Sequence, residues 1–346
     1  MQKKLLTMAV ASALAVPVVA FAQVTVYGTI DTGLRQEGKI STVAGGATNG
    51  SRMSVTDGQR TTNRWGLKGT EDLGGGLNAN FTLEGQYSSD TGALGSGPTG
   101  ATSQGLFQRK AIVGLSSGGN SVDLGRDYTV NFKSQGIYDP MSYTYTGVTP
   151  SAGTNTAGVR SSNMVTAGFR FGTGGIRVDY ALGEVTANNS WGTRTGIMGD
   201  FAFGPVTVTG ALSSSKDAAT GTLTTKTTNF GGKYDMGALT FRAGTSSTQT
   251  DGAGKTPMIL LGVQYAISPT LNGRVGYYQT KFESTGGAEV GKSKLFIVAL
   301  DYSLSKRTTT YVEVDKRTLS GTANAGAVGS PMDGATAVAV GIAHSF

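Results

Sequence analysis

Gly286-Gly287-Ala288-Glu289-Val290-Gly291-Lys292-Ser293 matches, letter for letter, the glycine-rich loop that cradles nucleotide phosphates. That chemistry requires a helix after the Lys-Ser pair, whose unsatisfied amides face the phosphate. Lys294-Leu295-Phe296-Ile297-Val298-Ala299-Leu300 follows instead, rich in β-branched and aromatic residues and short enough for a strand, so nucleotide binding is set aside. Gly95-Ser96-Gly97-Pro98-Thr99-Gly100 fits the dinucleotide fingerprint, but Pro98 and the low-complexity stretch around it make it a surface loop. With 54 glycines in 346 residues, such matches arise by chance.

Other chemistries are removed by composition. The chain has no cysteine, which excludes disulfides, thiolate metal sites and thiol nucleophiles. The single histidine, His344, lies two residues from the C-terminus, which leaves no His pair for a metal and no plausible Ser-His-Asp triad. What remains is fixed charge at alternating positions. Lys68, Arg170, Arg177, Arg194, Lys233, Arg242, Arg274 and Lys294 are read as sharing a polar face with Asp31, Glu84, Asp123, Asp179, Asp200, Asp235 and Asp301. Side chains so placed guide ions, solvate a wet wall or pair with one another. The net charge of +7, about +5 without Lys3 and Lys4, is too mild to imply nucleic acid.

The elements that place these charges begin after an export leader. Residues 1–22 carry Lys3 and Lys4, an apolar run from Leu5 to Val19, and Ala20-Phe21-Ala22, the pattern of a signal peptide cut before Gln23. A membrane anchor is the alternative, opposed by the short run and by Pro17. Beyond Gln23 no apolar stretch reaches the ~20 residues of a spanning helix, which leaves a secreted protein or a membrane β-barrel.

From Val24 onward residues alternate. Val24, Val26, Ile30 and Leu34 take one parity and Thr25, Thr29, Asp31 and Arg35 the other, the period of a strand. The pattern recurs along most of the chain, as in Val165, Ala167, Phe169 and Phe171 against Thr166 and Arg170. Short connections such as Leu73-Gly74-Gly75-Gly76, Phe203-Gly204-Pro205 and Met236-Gly237 carry tight-turn chemistry. They alternate with long Gly/Ser/Thr/Asn-rich segments near 37–58, 88–105, 129–160, 184–192, 214–224, 246–256, 283–292 and 317–335. Eight long loops and seven short turns join sixteen antiparallel strands of one domain, residues 23–346. A soluble sandwich or β-helix also alternates, but strands of about ten residues, an even count and loops sorted by length form the outer-membrane barrel pattern. The apolar parity then faces lipid and the charged parity lines water.

These residues resemble the Gram-negative general porins, in particular the Burkholderia/Bordetella-type branch, over essentially the whole mature chain. The resemblance is carried by Val26-Tyr27-Gly28-Thr29-Ile30-Asp31, by Asn63-Arg64-Trp65-Gly66-Leu67-Lys68-Gly69 running on to Gly76, and by Leu106-Phe107-Gln108-Arg109-Lys110. Leu124-Gly125-Arg126-Asp127-Tyr128 and the ending Val340-Gly341-Ile342-Ala343-His344-Ser345-Phe346 complete it. It implies a sixteen-stranded transmembrane barrel whose third long loop folds into the lumen. It also implies an outer-membrane homotrimer surrounded by lipid and lipopolysaccharide, and a terminal Phe346 read by the barrel-assembly machinery. Matched motif by motif, the constriction would set Arg64, Arg109 and Arg160 on the wall against Asp139 on loop 129–160. Met141-Ser142-Tyr143 stand where a second loop acid is usual. Lys68, Arg170, Arg177 and Arg194 would add lumen charge.

The function expected is passive diffusion of small hydrophilic solutes, anions above cations, with no cofactor, metal or chemical step. The rivals are a barrel used mainly as an adhesin or receptor, and an outer-membrane barrel enzyme, which His344 at the chain end does not favour.

Overall fold

The structure is a computed structural model and describes residues 23–41, 49–95, 105–145, 149, 158–324 and 332–346. The leader read in residues 1–22 lies outside the described residues, as do residues 96–100 of the glycine fingerprint. The strands are β1 (Gln23–Ser41), β2 (Asn49–Asp57), β3 (Arg64–Gly74), β4 (Leu77–Gln86), β5 (Lys110–Ser117) and β6 (Asn120–Tyr128). Helix α1 (Val130–Tyr138) precedes β7 (Arg160–Phe171), β8 (Gly174–Ala181), β9 (Arg194–Phe203), β10 (Val206–Lys216) and β11 (Thr224–Met236). Then come β12 (Leu239–Thr250), β13 (Gly254–Ala266), β14 (Leu271–Glu283), β15 (Glu289–Ser303), β16 (Thr308–Gly321) and β17 (Ala335–Ser345).

All are antiparallel, and β17 pairs back onto β1 with Leu34 opposite Val340, so the sheet closes. Among the described residues, seventeen segments fill sixteen barrel positions, because β1 pairs with β2 through Thr32–Ser41 and with β3 through Gln23–Thr29. The closure is completed at the last residue. Phe346 exchanges two backbone hydrogen bonds with Gly28, both 3.1 Å. A side chain at Gly28 would collide with the Phe346 ring.

The faces follow the alternation. Val338, Val340 and Ile342 of β17 are exposed on the outer face, while Ala337, Ala339 and Ala343 are buried on the inner one. Phe296, Val298 and Leu300 of β15 likewise face outward, between the inward Leu295, Ile297 and Ala299. Lys294 shares their outward parity, which corrects its assignment to the lumen. The matched phosphate loop is a hairpin whose Lys292 and Ser293 lie in β15, where nucleotide binding would need a helix. The turns use glycine as expected; at Gly237 the φ of 61° admits little else.

Two departures from the expected loops shape the lumen. The segment expected as a long loop over 37–58 is largely sheet, since β1 and β2 extend the first hairpin past a bulge at Gly38/Ile40. Residues 58–63, between β2 and β3, leave the wall and turn around Asp31. Its carboxylate accepts the Arg60 and Thr61 amides at 2.7 and 2.5 Å, and its carbonyl accepts the Gly58 amide. Gln59 and Arg60 then reach Glu313 on β16 and Asp301 on β15.

The loop after β6 folds into the barrel as its own helix. Thr129 caps α1, and the carboxylate of Asp179 accepts the Val130 amide at 2.8 Å, a negative charge at the positive helix end. Val130 packs on Met198 and Ala211, and Asn131 exchanges hydrogen bonds with Asn229. Tyr138, Met141 and Tyr145 cover an inward apolar patch of Met258, Leu260, Tyr278, Leu295 and Ile297. The wall makes room for this loop with glycine: a side chain at Gly231 or Gly244 would enter the Tyr138 ring, and one at Gly262 would meet Pro140.

Gly244→Val should therefore cost roughly 1–3 kcal/mol of loop docking through overpacking. The expected result is a larger single-channel conductance in planar bilayers from a barrel that still resists proteolysis; an unchanged conductance would contradict this seating.

Asp139 is buried beneath the same loop. It accepts hydrogen bonds from the Tyr143 amide at 2.8 Å and the Tyr278 hydroxyl at 2.9 Å, and burial pushes its carboxyl up to about 6 against these favourable contacts. Because the docked value lies above that of a free carboxyl, ionisation opposes docking: the loop sits most firmly while Asp139 is neutral and loosens as pH rises through about 6. Conductance should rise over that pH range in the native pore and stay flat in Asp139→Asn.

Candidate pore constriction

Between the docked loop and the opposite wall lies a water-accessible cavity of about 760 Å³. Adjacent strands supply it in order: Arg64 and Lys68 from β3, Glu84 and Gln86 from β4, Arg109 just before β5 and Lys110 at its start, Tyr128 at the end of β6, and Arg160 at the start of β7. Phe132 and Tyr143 close the loop side, and Thr61, Thr62 and Asn63 of the inward turn close the third side. A strand places alternate residues on one face and its neighbours repeat that face, so bases from β3, from β7 and from the start of β5, five in all, converge on one opening.

Two of the described lining residues are acids, Glu84 and Asp57. Glu84 sits between two guanidiniums, 2.6 Å from Nε of Arg109 and 3.7 Å from Nε of Arg64, and accepts the Tyr27 hydroxyl at 3.1 Å. Asp57 is occupied by Asn63, Ser88 and Ser89. Lys110 lies 3.5 Å from Asp127, which also holds Lys133 of α1 at 2.8 Å. Lys68 points its ammonium over the Tyr27 ring, 5.2 Å from the centroid. Arg160 has no carboxylate within ion-pair distance among the described residues, and its Nε is buried without a hydrogen-bond partner. Its guanidinium lies 4.4 Å from the centroid of the Tyr128 ring.

Arg64, Arg109 and Arg160, singled out from the sequence, thus share one cavity. Asp139 does not join them: 1% exposed and absent from the cavity lining, it anchors the loop to β14, a correction to its expected place in the pore. Arg194 is also corrected. It is 4% exposed and donates to Asn131 at 2.8 Å beside Asp179, so it holds α1 instead of facing solute. Arg170 pairs with Asp200 at 2.9 Å and remains half exposed. Arg177 lies on β8 against Gly168. Phe346 faces outward. Inward bases on the far wall are also committed to the loop: Arg242 donates to the Ile137 carbonyl and Arg274 to that of Met141 at 2.9 Å.

Sequence reasoning left unassigned the lining roles of Tyr128 and Lys110 and the inward turn at 58–63. Tyr128 and Lys110 stood in the quoted motifs, but no pattern in the sequence distinguishes a strand that runs on from one that breaks inward. Among the described residues no group of three His, Asp or Glu side chains is placed to hold a metal ion.

The comparisons agree with this architecture. A family profile described as Gram-negative porin matches residues 9–322. An outer membrane porin protein of Bordetella pertussis is 29% identical, over 90% of this chain and 93% of its own. Outer membrane porin protein 32 of Delftia acidovorans is 29% identical over the whole of both chains. Among solved structures, an anion-selective porin from Comamonas acidovorans superposes with a TM-score of 0.76 at 26% identity, over 94% of this chain and all of that one. OmpF of Salmonella typhi, 19% identical with a TM-score of 0.69, shares the fold. With a closed sixteen-position barrel, a lipid-type outer face and a loop narrowing a charged lumen, the chain belongs to the Gram-negative porin family and is a general diffusion porin of the outer membrane.

Proposed function

We propose that this porin passes small anions in preference to cations, and that Arg64, Arg109 and Arg160 set the preference. The observation that carries the reading is the imbalance around the cavity: five bases against two acids, with Arg160 left without a carboxylate partner among the described residues. A narrow aqueous gap in a low-dielectric wall focuses the field of its fixed charges, so one uncompensated guanidinium outweighs many charges on open surface. Rings of Arg and Lys act this way in anion pores. Arg keeps its charge at any working pH and presents several donors, which suits chloride, carboxylates and phosphates. The anion-selective Comamonas porin is a similar chain, which supports the reading.

Passage needs no cofactor and no covalent step; solutes are sorted by size and by the sign of their charge. The reading includes a leader removed before Gln23, leaving residues 23–346 as one barrel domain. It also includes a terminal Phe346 recognised during assembly, contact with lipopolysaccharide at the rim, and a homotrimer in the membrane. Migration as a trimer-sized band that collapses to 35.4 kDa or slightly less on boiling is expected in detergent electrophoresis, and migration as a monomer before boiling would exclude the trimer.

Reversal potentials across a planar bilayer in a KCl gradient should take the sign of chloride permeation. Replacing Arg64, Arg109 and Arg160 together by Ala should lower the anion-to-cation permeability ratio about tenfold. Cation selectivity in the native pore, or an unaltered ratio in the triple variant, would refute the assignment.

A further inference from the structure

Arg109 and Arg160 approach each other although both are cations, and the atom between them is neutral. The Tyr128 hydroxyl oxygen accepts Nη2 of Arg109 at 2.7 Å and Nη2 of Arg160 at 2.8 Å. We infer that Tyr128 is a positioning and specificity-determining residue of the constriction: its hydroxyl holds the two guanidiniums side by side as one anion-recognising unit. The inference rests on the anion-selective reading above and names the device that makes it work.

A phenolic hydroxyl has two acceptor sites and one donor. Both acceptor sites are used by the arginines, and the O–H meets no acceptor among the described residues. Tyr128 lines the cavity, so this third donor stands between the guanidiniums where a solute passes. A carboxylate there would have screened the guanidinium charge, as Glu84 does for Arg109 on its other side at 2.6 Å. A hydroxyl fixes the geometry and leaves the charge in place.

The ring is held independently of the hydroxyl. Arg160 stacks on one face of Tyr128, and Phe132 lies on the ring at 4.7 Å with an interplanar angle of 10°. Tyr143 continues the column at 4.1 Å from Phe132, again at 10°, and ends against Gly136. Phe132 belongs to α1 and Tyr143 follows it, so the docked loop buttresses the ring that carries the bridging oxygen. The Arg160 guanidinium and the Phe132 ring thus both lie against the Tyr128 ring, and the hydroxyl stays in contact with the two arginines at the cavity. Ring edges carry partial positive charge, which also favours an anion.

The test uses the full-length protein reconstituted in planar bilayers, with KCl and potassium benzoate as probe salts. Tyr128→Phe keeps the column and removes the bridging oxygen. It should lower the chloride-to-potassium permeability ratio about threefold, with benzoate following, while the trimer-sized band before boiling is unchanged. In an Arg160→Ala background the same replacement should add little, because the hydroxyl then has only one guanidinium to place. Phe132→Leu, which disturbs the column but not the oxygen, gives a second reading should Tyr128→Phe fail to assemble, and should lower the ratio less than Arg160→Ala. If Tyr128→Phe keeps the native ratio while Arg109→Ala and Arg160→Ala lower it, the bridge is overturned and the arginine constriction stands. If none of the arginine variants moves the ratio, both fall together.

Discussion

Hydrocarbon cannot accept a hydrogen bond, and the rest of the structure follows from that constraint. A sheet in lipid must pair every amide within itself, which forces closure, and closure here runs to the final residue, where Phe346 and Gly28 exchange their backbone groups. Closing the sheet turns the period of two into an outside and an inside. The outside needs only apolar bulk. The inside must solvate charge, seat a loop and leave a passage, all on side chains spaced two residues apart.

The two inward elements solve different parts of that problem. The loop helix is a small folded unit docked on a prepared wall: glycines at 231, 244 and 262 recede beneath Tyr138 and Pro140, and apolar residues of β13 to β15 take the place of a soluble core. The turn at 58–63 has no such core and is organised by polar groups, with Asp31 at its centre and Asn63 joining Asp57 and Ser89. Its arm to Asp301 meets Tyr145 and Arg274 from the loop and the far wall, so both inward elements converge on one carboxylate. Buried ionic networks add little net stability, but their geometry fixes one arrangement among several of similar energy.

Alternation carried the faces, the turns and the strand total, because each is a local property of the chain. What an inward side chain meets is not local. Parity places Arg194, Arg242 and Arg274 toward the lumen region correctly, and motif matching puts Asp139 on the third loop, yet each contacts the docked loop or belongs to it, and a lumen with a folded segment inside has no reading in a strand pattern. Arg64, Arg109 and Arg160 could be placed together only by matching motifs. Lys294 failed for a simpler reason: a one-residue error in parity moves a side chain through the wall.

The placement of the acids bears more on selectivity than the net charge does. The excess of base over acid in the chain is mild, and an even scatter would leave a nearly neutral lumen. The acids are instead withdrawn: Asp31, Asp139, Asp179, Asp301, Glu313 and Asp315 are all buried, spent on the inward turn, the loop and the Arg35 cluster. Each is compensated where it is used, by backbone amides, hydroxyls or a guanidinium, so its field is largely cancelled locally. Arg64, Lys68 and Arg160 remain at the opening with less compensation. On the reading proposed here, the scaffold that narrows the pore also polarises it, because the groups that anchor the inward segments are the ones that would have attracted cations. Selectivity and constriction are then two consequences of one packing arrangement, and loosening the loop would alter both.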